Sequence, residues 1–284
     1  MTITVAIPDT SVSDCPDLRQ KTEKIGQIAR ALAVFKVDRV VIYKAKHSNG
    51  KSQRDFVLLE KLFRYMDTPQ YLRRKVFPMS PSLKYAGILP PLRIRSHPLE
   101  TRTRLVPDGE IRWGVQDSPG FVDIGLDDMI EYEEKVSTRV PTLFKIARVR
   151  GRIQLEPTVR GSIEYYFGYE TGTADDLVTY LDTCKSQICI AFSRLGTPFQ
   201  RVAEQIDAML SSTQEVVALF GDPYSGVRDL VKDKDALKEH VDFWVNTIAG
   251  QGTETVRLEE AIWISLGLFN DSFGPKITKP GFHE

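Results

Sequence analysis

The run Val241-Asp242-Phe243-Trp244-Val245-Asn246-Thr247-Ile248-Ala249-Gly250-Gln251-Gly252-Thr253-Glu254-Thr255-Val256-Arg257-Leu258-Glu259-Glu260-Ala261-Ile262 joins three kinds of backbone. It opens as a short apolar segment, the pattern of a buried strand. It passes through Gly250-Gln251-Gly252-Thr253, where both glycines are free to take positive φ. It closes on a helical stripe of Leu258, Ala261, Ile262, Ser265, Leu266 and Phe269. Strand, glycine loop and helix bring backbone N–H and C=O groups close to a ligand. An ordinary strand-to-helix connection also carries glycine, so this loop acquires meaning only from its neighbours.

Two neighbours repeat the pattern. Gln187-Ile188-Cys189-Ile190-Ala191-Phe192 is a buried strand followed by Ser193-Arg194-Leu195-Gly196, and Pro198 opens a helix through Val202, Ile206 and Leu210. Val216 to Phe220 is another strand, ending in Gly221-Asp222-Pro223-Tyr224-Ser225-Gly226. Three successive strands therefore end in glycine loops, and in a parallel sheet such loops gather at one edge, where ligands bind. Just upstream, Tyr165 to Tyr169 has the texture of a strand, and Thr173 is placed as the N-cap of a helix with Asp176 at N3.

At the other end of the chain, Ile3, Val5 and Ile7 form a short strand closed by Pro8. Leu18, Thr22, Ile25, Ile28, Ala29, Leu32 and Phe35 then recur at helical spacing. Arg39 to Tyr43 is a β-branched run of the kind buried on both faces. Phe56, Leu59, Leu62, Phe63 and Met66 mark a second helix. Alternating strands and helices predict a parallel sheet covered by helices. There is no GxGxxG after the first strand and no GxxxxGK[ST] anywhere, which disfavours a nucleotide-cofactor oxidoreductase or an NTPase.

The texture changes at Pro90-Pro91. From Leu92 to about Arg160, short alternating runs separated by turn residues predict a small all-β barrel. Charge is segregated within it: acids dominate Asp108 to Glu134, and only cations occur from Lys135 to Arg152. Strand periodicity places Arg148, Arg150 and Arg152 on one face, and with Lys145 they form a candidate RNA-backbone surface. A solvated edge strand would carry the same charges. The predicted organisation is thus residues 1–91 and 161–284 as one α/β domain, interrupted by 92–160 as a β insertion.

With 284 residues, 42% hydrophobic and 27% charged, the chain has the composition of a globular protein with one or two domains. Its 38 basic and 38 acidic residues cancel, so any basic surface must be local. Cys15, Cys184 and Cys189 lack metal-ligand or disulfide spacing and are expected to be reduced thiols in a cytoplasmic protein. No signal peptide, membrane span or metal site is expected. His47, His97, His240 and His283 lie outside the glycine loops and are expected in surface or structural roles.

These features together resemble the SPOUT class of methyltransferases, in its archaeal and eukaryotic branch of RNA methyltransferases with an OB-like insertion. The matching stretches are Lys21-Thr22 with Ile25 to Ala31, Phe77-Pro78, Tyr85 to Leu89, Leu219-Phe220-Gly221 and, most specifically, Asn246 to Ala261. The resemblance implies an α/β, Rossmann-like parallel sheet with a C-terminal trefoil knot, S-adenosyl-L-methionine as cofactor, RNA as substrate and a homodimer. It implies methylation of a base, with a pyrimidine ring nitrogen such as uridine N3 in ribosomal or other structured RNA as the expected target. An inactive RNA-binding assembly factor with the same knot is the alternative. By position, Ser193, Gly196, Phe220, Gly221, Asp222, Asn246, Thr247, Ile248, Gly250, Gln251, Gly252, Thr255 and Val256 would hold the cofactor. Arg194 and Arg30 would orient the target nucleotide. Relatives place an arginine beside the first-loop glycine; here Leu195 stands there and the arginine is one residue earlier. Asp222 has a second candidate role, forming the turn before Pro223.

Overall fold

The structure is a computed structural model that describes residues 1–274; His283 lies outside the described residues. In chain order its elements are β1 (Thr2–Pro8), α1 (Leu18–Val34), β2 (Arg39–Tyr43), α2 (Gly50–Asp67), α3 (Arg73–Val76), β3 (Ile111–Ser118), β4 (Phe121–Asp123), β5 (Ile130–Glu131), β6 (Thr142–Val149), β7 (Arg152–Thr158), β8 (Glu170–Ala174), α4 (Leu177–Asp182), β9 (Ile188–Pro198), α5 (Phe199–Leu210), β10 (Glu215–Leu219), α6 (Val227–Leu230), α7 (Lys234–His240), β11 (Phe243–Asn246) and α8 (Leu258–Phe273). The chain divides into two compact units. One is Met1–Lys61 together with Tyr169 onward, and the other is Leu62–Gly168.

The first unit is built on a six-stranded sheet of order β11-β9-β10-β1-β2-β8, with every adjacent pair parallel. β1, β2 and β10 are almost wholly buried, as are residues 188–192 of β9, as continuous apolar strands covered on both faces must be. From β1 the chain moves outward through β2 to β8. It then crosses to build β9, returns inward to β10 and leaves again to β11. The reversal between β1 and β10 is a topological switch point, and ligands of open α/β sheets bind outside the carboxyl ends of strands at such a point. α1 starts where the Asp17 side chain accepts a hydrogen bond from the Gln20 amide at 2.9 Å. Its buried stripe of Ile25, Ile28, Ala29 and Leu32 faces inward.

The second unit contains an antiparallel sheet of order β5-β4-β3-β6-β7 over a core of Val122, Ile124, Phe144, Ile146 and Leu155. It reaches further back than Leu92 because earlier residues are tied into it. The Tyr71 hydroxyl donates to the Trp113 carbonyl at 2.7 Å, and Lys75 pairs with Asp117 at 2.5 Å and Asp123 at 2.7 Å. Arg112 is fully buried here, paired with Glu110 at 2.6 Å and donating to the Glu100 carbonyl at 2.8 Å. A buried guanidinium needs that degree of satisfaction.

Three local expectations are corrected. The aromatic run Tyr165–Tyr169 is not a strand: Gly168 turns the backbone to φ +94°, and the ladder begins only at Glu170. Helix α4 does not start at Thr173, which pairs with Ile42 inside β8; Asp176 is the N-cap, accepting from the Thr179 amide at 2.9 Å. Arg148, Arg150 and Arg152 do not share one strand face. Arg150 (φ +50°) and Gly151 (φ +79°) form the two-residue turn between β6 and β7, where Val149 pairs with Arg152. Side-chain alternation ends where a hairpin turns, so the period-two argument fails there.

Candidate cofactor-binding site

β9 carries the local irregularity that shapes the site. Its register with β11 jumps: Trp244 opposes Ala191, but Val245 already opposes Thr197. Residues 192–196 are thereby expelled from the ladder as a loop. β11 is pinned at its start, where the Cys189 amide donates to the Asp242 carboxylate at 2.8 Å and the Asp242 amide to the Cys189 carbonyl at 2.9 Å. At its end, the Asn246 amide nitrogen donates to the Arg194 carbonyl at 2.8 Å, while its oxygen accepts from the Ile248 amide at 2.9 Å. Arg194 in turn donates to the Glu254 carbonyl at 3.3 Å. The loop 192–196 within β9 and the loop after β11 are therefore stapled to each other.

The loop after β10 is held separately. One Asp222 carboxylate oxygen accepts from the amides of Tyr224 and Ser225 at 2.8 and 2.6 Å. The other accepts from the Thr10 hydroxyl at 2.7 Å. Buried Tyr43 donates to the Phe220 carbonyl at 3.0 Å, and burial pushes its phenol well above the usual tyrosine range. Asp222 is thus a turn-former whose lone pairs are engaged by its own loop.

Together the three loops enclose a cavity of about 550 Å³, a size suited to one small ligand or cofactor. Of the residues expected to hold a cofactor, Ser193, Phe220, Gly221, Asp222, Asn246, Thr247, Ile248, Gln251, Thr255 and Val256 line it. Arg194 lines it too. Gly196, Gly250 and Gly252 do not. Their roles lie in the backbone instead: Gly250 takes φ +76°, and a Cβ on Gly196 would sit 2.6 Å from the Val245 carbonyl carbon. Gly252 is exposed, with nothing within 4 Å of an added Cβ. Arg30 is half-buried on α1, outside the cavity lining.

Sequence reasoning missed Phe192, Tyr224, Arg228, Lys238 and Trp244 as lining residues. Phe192 and Phe220 stack at 4.9 Å with their planes 20° apart, forming one apolar wall. The pairing has a faint sequence signal, since each is the last apolar residue of a buried strand. Arg228 and Lys238 come from short helices that carry no motif.

The carboxylates lining the cavity are Asp222 and Asp229. The Lys234 ammonium, hydrogen-bonded to Asp229 at 2.9 Å, holds that carboxyl below the usual range. No histidine lines the cavity, and among the described residues no group of His, Cys, Asp and Glu could hold a metal ion. Cys15, Cys184 and Cys189 are free and buried, and burial pushes the Cys15 thiol up to about 11.

In the outer wall, α8 begins with the Glu260 carboxylate accepting from the Arg257 amide at 2.9 Å. Buried Glu259 pairs with buried Lys24 of α1 at 3.1 Å, and Lys24 also pairs with Asp14 at 2.8 Å. This ionic contact fixes the helix start against which Val256 and Leu258 line the cavity.

A parallel sheet whose loops close on one such cavity has the architecture of α/β proteins that bind small ligands at the carboxyl edge of the sheet. The chain belongs to the family described as "Putative RNA methyltransferase", whose model matches residues 2–269. Its activity is methyl transfer to RNA. It is 31% identical to an uncharacterized protein of Haloarcula marismortui, with 94% of this chain and 98% of that one covered. It is 27% identical to the human 28S rRNA (uridine-N(3))-methyltransferase over 93% of this chain and 77% of the relative. The mouse protein of the same name is also 27% identical, over 99% and 78%. Among the described residues no helix is long and apolar enough to cross a membrane.

Proposed function

We propose that the chain transfers a methyl group from S-adenosyl-L-methionine to a base of ribosomal RNA, with the N3 nitrogen of a uridine as the target. The observation that carries this is the convergence of the loop 192–196 within β9 and the loops after β10 and β11 on one cavity with a stacked aromatic wall. The residues present suit an adenosyl cofactor. Phe192 and Phe220 supply apolar surface for a ring. Gly221 and Val256 line the cavity, and among the described residues their backbone amides donate no hydrogen bond within the protein. Bound there, the cofactor supplies a methyl group on a sulfonium. The names of the human and mouse relatives support uridine N3 as the acceptor.

The chain's own contribution is geometry and charge. Its stapled loops hold the reactants in near-attack position, an effect that can be worth about 7–11 kcal/mol. A uridine N3 must also lose its proton. The lining carboxylates are engaged elsewhere, so the proton leaves to solvent and the cation Arg194 is assigned to favour the anionic ring electrostatically.

A trefoil knot is supported by the expelled loop 192–196 and its tie to the chain beyond β11. An OB-like barrel is supported by the five-stranded antiparallel order. Lys145, Arg150 and Arg152 are assigned to RNA contact; Arg148 is discounted because its guanidinium donates to the Val106 and Thr103 carbonyls. A homodimer in the cytoplasm completes the proposal.

Calorimetric titration of the purified chain with S-adenosylmethionine, followed by nucleoside mass spectrometry of ribosomal RNA incubated with both, is the test. Binding and a uridine mass gain of one methyl group, carried on the base, are expected. RNA binding without cofactor binding would leave the inactive assembly factor in its place.

A further inference from the structure

The rim of the cavity carries chemistry that a methyl donor does not need. Tyr224 lines the cavity yet is 76% exposed. It stands on the most tightly built loop of the site. Its amide donates to Asp222, Asp222 is tied to Thr10, and a Cβ on Gly221 would lie 2.3 Å from the Ser225 carbonyl oxygen. An exposed aromatic ring on an over-determined turn costs little further entropy when something stacks on it. Next to it in sequence, α6, the link after it and α7 carry Arg228, Lys232 and Lys238 in turn, all exposed and none in an ion pair among the described residues. Asp235 and Glu239 stand exposed beside Lys238, and neither pairs with it among the described residues. Asp229 is taken by Lys234, and Asp233 accepts from the amides of Asp235 and Ala236 at the start of α7. Acids and cations are equal in number over residues 227–240, so what distinguishes Arg228 and Lys238 is that both line the cavity beside an exposed aromatic ring.

We infer that Tyr224 with Arg228 and Lys238 forms a docking ledge for a single-stranded RNA segment. One base lies on the Tyr224 ring, and the flanking phosphates lie on the two cations. This deepens the proposal above, since it takes the cavity as the place of methyl transfer. The physical reason is that N3 of a uridine lies on its pairing edge. The target must be unpaired before the cavity can reach it, and unpaired bases are held by stacking on aromatic rings with cations along the backbone. Phosphate contacts also release counterions, which makes their number readable from salt dependence.

The test uses the full chain and a fluorescent uridine-rich oligonucleotide, alone and annealed to its complement, with anisotropy measured over a salt series. Wild type should prefer the single strand. Tyr224→Ala should lose about tenfold in affinity, while Tyr224→Phe should stay near wild type, because the ring does the stacking. Arg228→Ala with Lys238→Ala should lower the logarithmic salt slope by about 0.7 per lost contact. Titration with S-adenosylmethionine should give the same affinity in all three variants, and melting temperatures should match. Wild-type affinity in Tyr224→Ala, or an unchanged salt slope in the double variant, would overturn the ledge. So would a loss confined to cofactor affinity, which would assign the cations to the cofactor's carboxylate. If wild type itself fails to bind the cofactor while the RNA pattern holds, the methyl donor is wrong and the ledge stands.

Discussion

Gly196 and Gly221 are the glycines whose missing side chain shapes the site. An added Cβ meets backbone at both: 2.6 Å from the Val245 carbonyl carbon at Gly196, and 2.3 Å from the Ser225 oxygen at Gly221. Backbone cannot swing away as a flexible side chain can. Each change to Ala is therefore expected to destabilise the chain by about 1–3 kcal/mol, as overpacking does, and to weaken ligand binding through the displaced loop. Gly252→Val is the contrast. It meets open space, so the fold should be unaffected, and any lost affinity would report an approach by ligand rather than by protein. Thermal unfolding and cofactor titration of the three variants separate these effects. Asn246→Ala removes both halves of a staple and is expected to cost about 1–3 kcal/mol in loop stability and ligand affinity together. Wild-type affinity in that variant would mean that the loops are held by other contacts.

At the scale of elements, the contact between α1 and α8 is ionic where most helix contacts are apolar. Lys24 is 4% and Glu259 10% exposed at the side chain, so removing one partner strands a buried charge. Lys24→Met is expected to lose about 3–5 kcal/mol of stability, and the paired change with Glu259→Leu should recover much of it, because an apolar pair avoids the desolvation of two ions. Chemical denaturation of the single and double variants measures this; additive losses would show that the pair does not couple. The β6–β7 hairpin shows a different division of labour. Arg148 ties the turn end of the hairpin to the preceding loop, donating to the Val106 carbonyl at 2.8 Å, whereas Arg150 and Arg152 are exposed at and beside the turn. Arg148→Ala should therefore lower the melting temperature, whereas Arg150→Ala with Arg152→Ala should leave it unchanged and reduce the salt slope of RNA binding.

At the scale of the whole molecule, the second unit carries a built-in pH dependence. His97 donates from Nε2 to the Asp67 carbonyl at 2.9 Å. Burial, with help from the positive charges of Arg73 and Arg160, pushes its pKa down to about 4 against the pull of that carbonyl. The folded state keeps the imidazole neutral where the unfolded chain would protonate it. Stability from this source is complete above about pH 6.5 and declines as pH falls toward 4, the unfolded state binding the extra proton. Urea unfolding from pH 7 to pH 4 should show that decline, and His97→Gln should flatten it. An equal slope in the variant would place the pH dependence in other groups. Cofactor binding should act on the other unit. Hydrogen-exchange protection is expected to rise in residues 192–196, 220–226 and 246–256, the loops that line the cavity, and not across β3–β7.

Periodicity alone was enough to mark the strands β1, β2, β9 and β10, the helices α1, α2, α5 and α8, and the convergence of three glycine loops. Burial on both faces leaves unbroken apolar runs, and a covered helix leaves a stripe. The antiparallel strands between residues 111 and 158 were legible for the same reason, whereas the unit that holds them starts at Leu62, on a helix that reads as part of the α/β pattern. Other features depended on partners far along the chain. Gly168 turns where a run of aromatics reads as a strand. Arg150-Gly151 is a turn because β7 folds back on β6. Asn246 and Asp222 spend their polar groups on neighbouring loops and not outward on a ligand. The requirement for glycine moved from Gly252 to Gly196 and Gly221, since it comes from backbone brought there by the β9–β11 register jump. Local spacing records which face of an element is covered. Which atoms meet across the cavity is set by strand order and register, and these exist only once the sheet has closed.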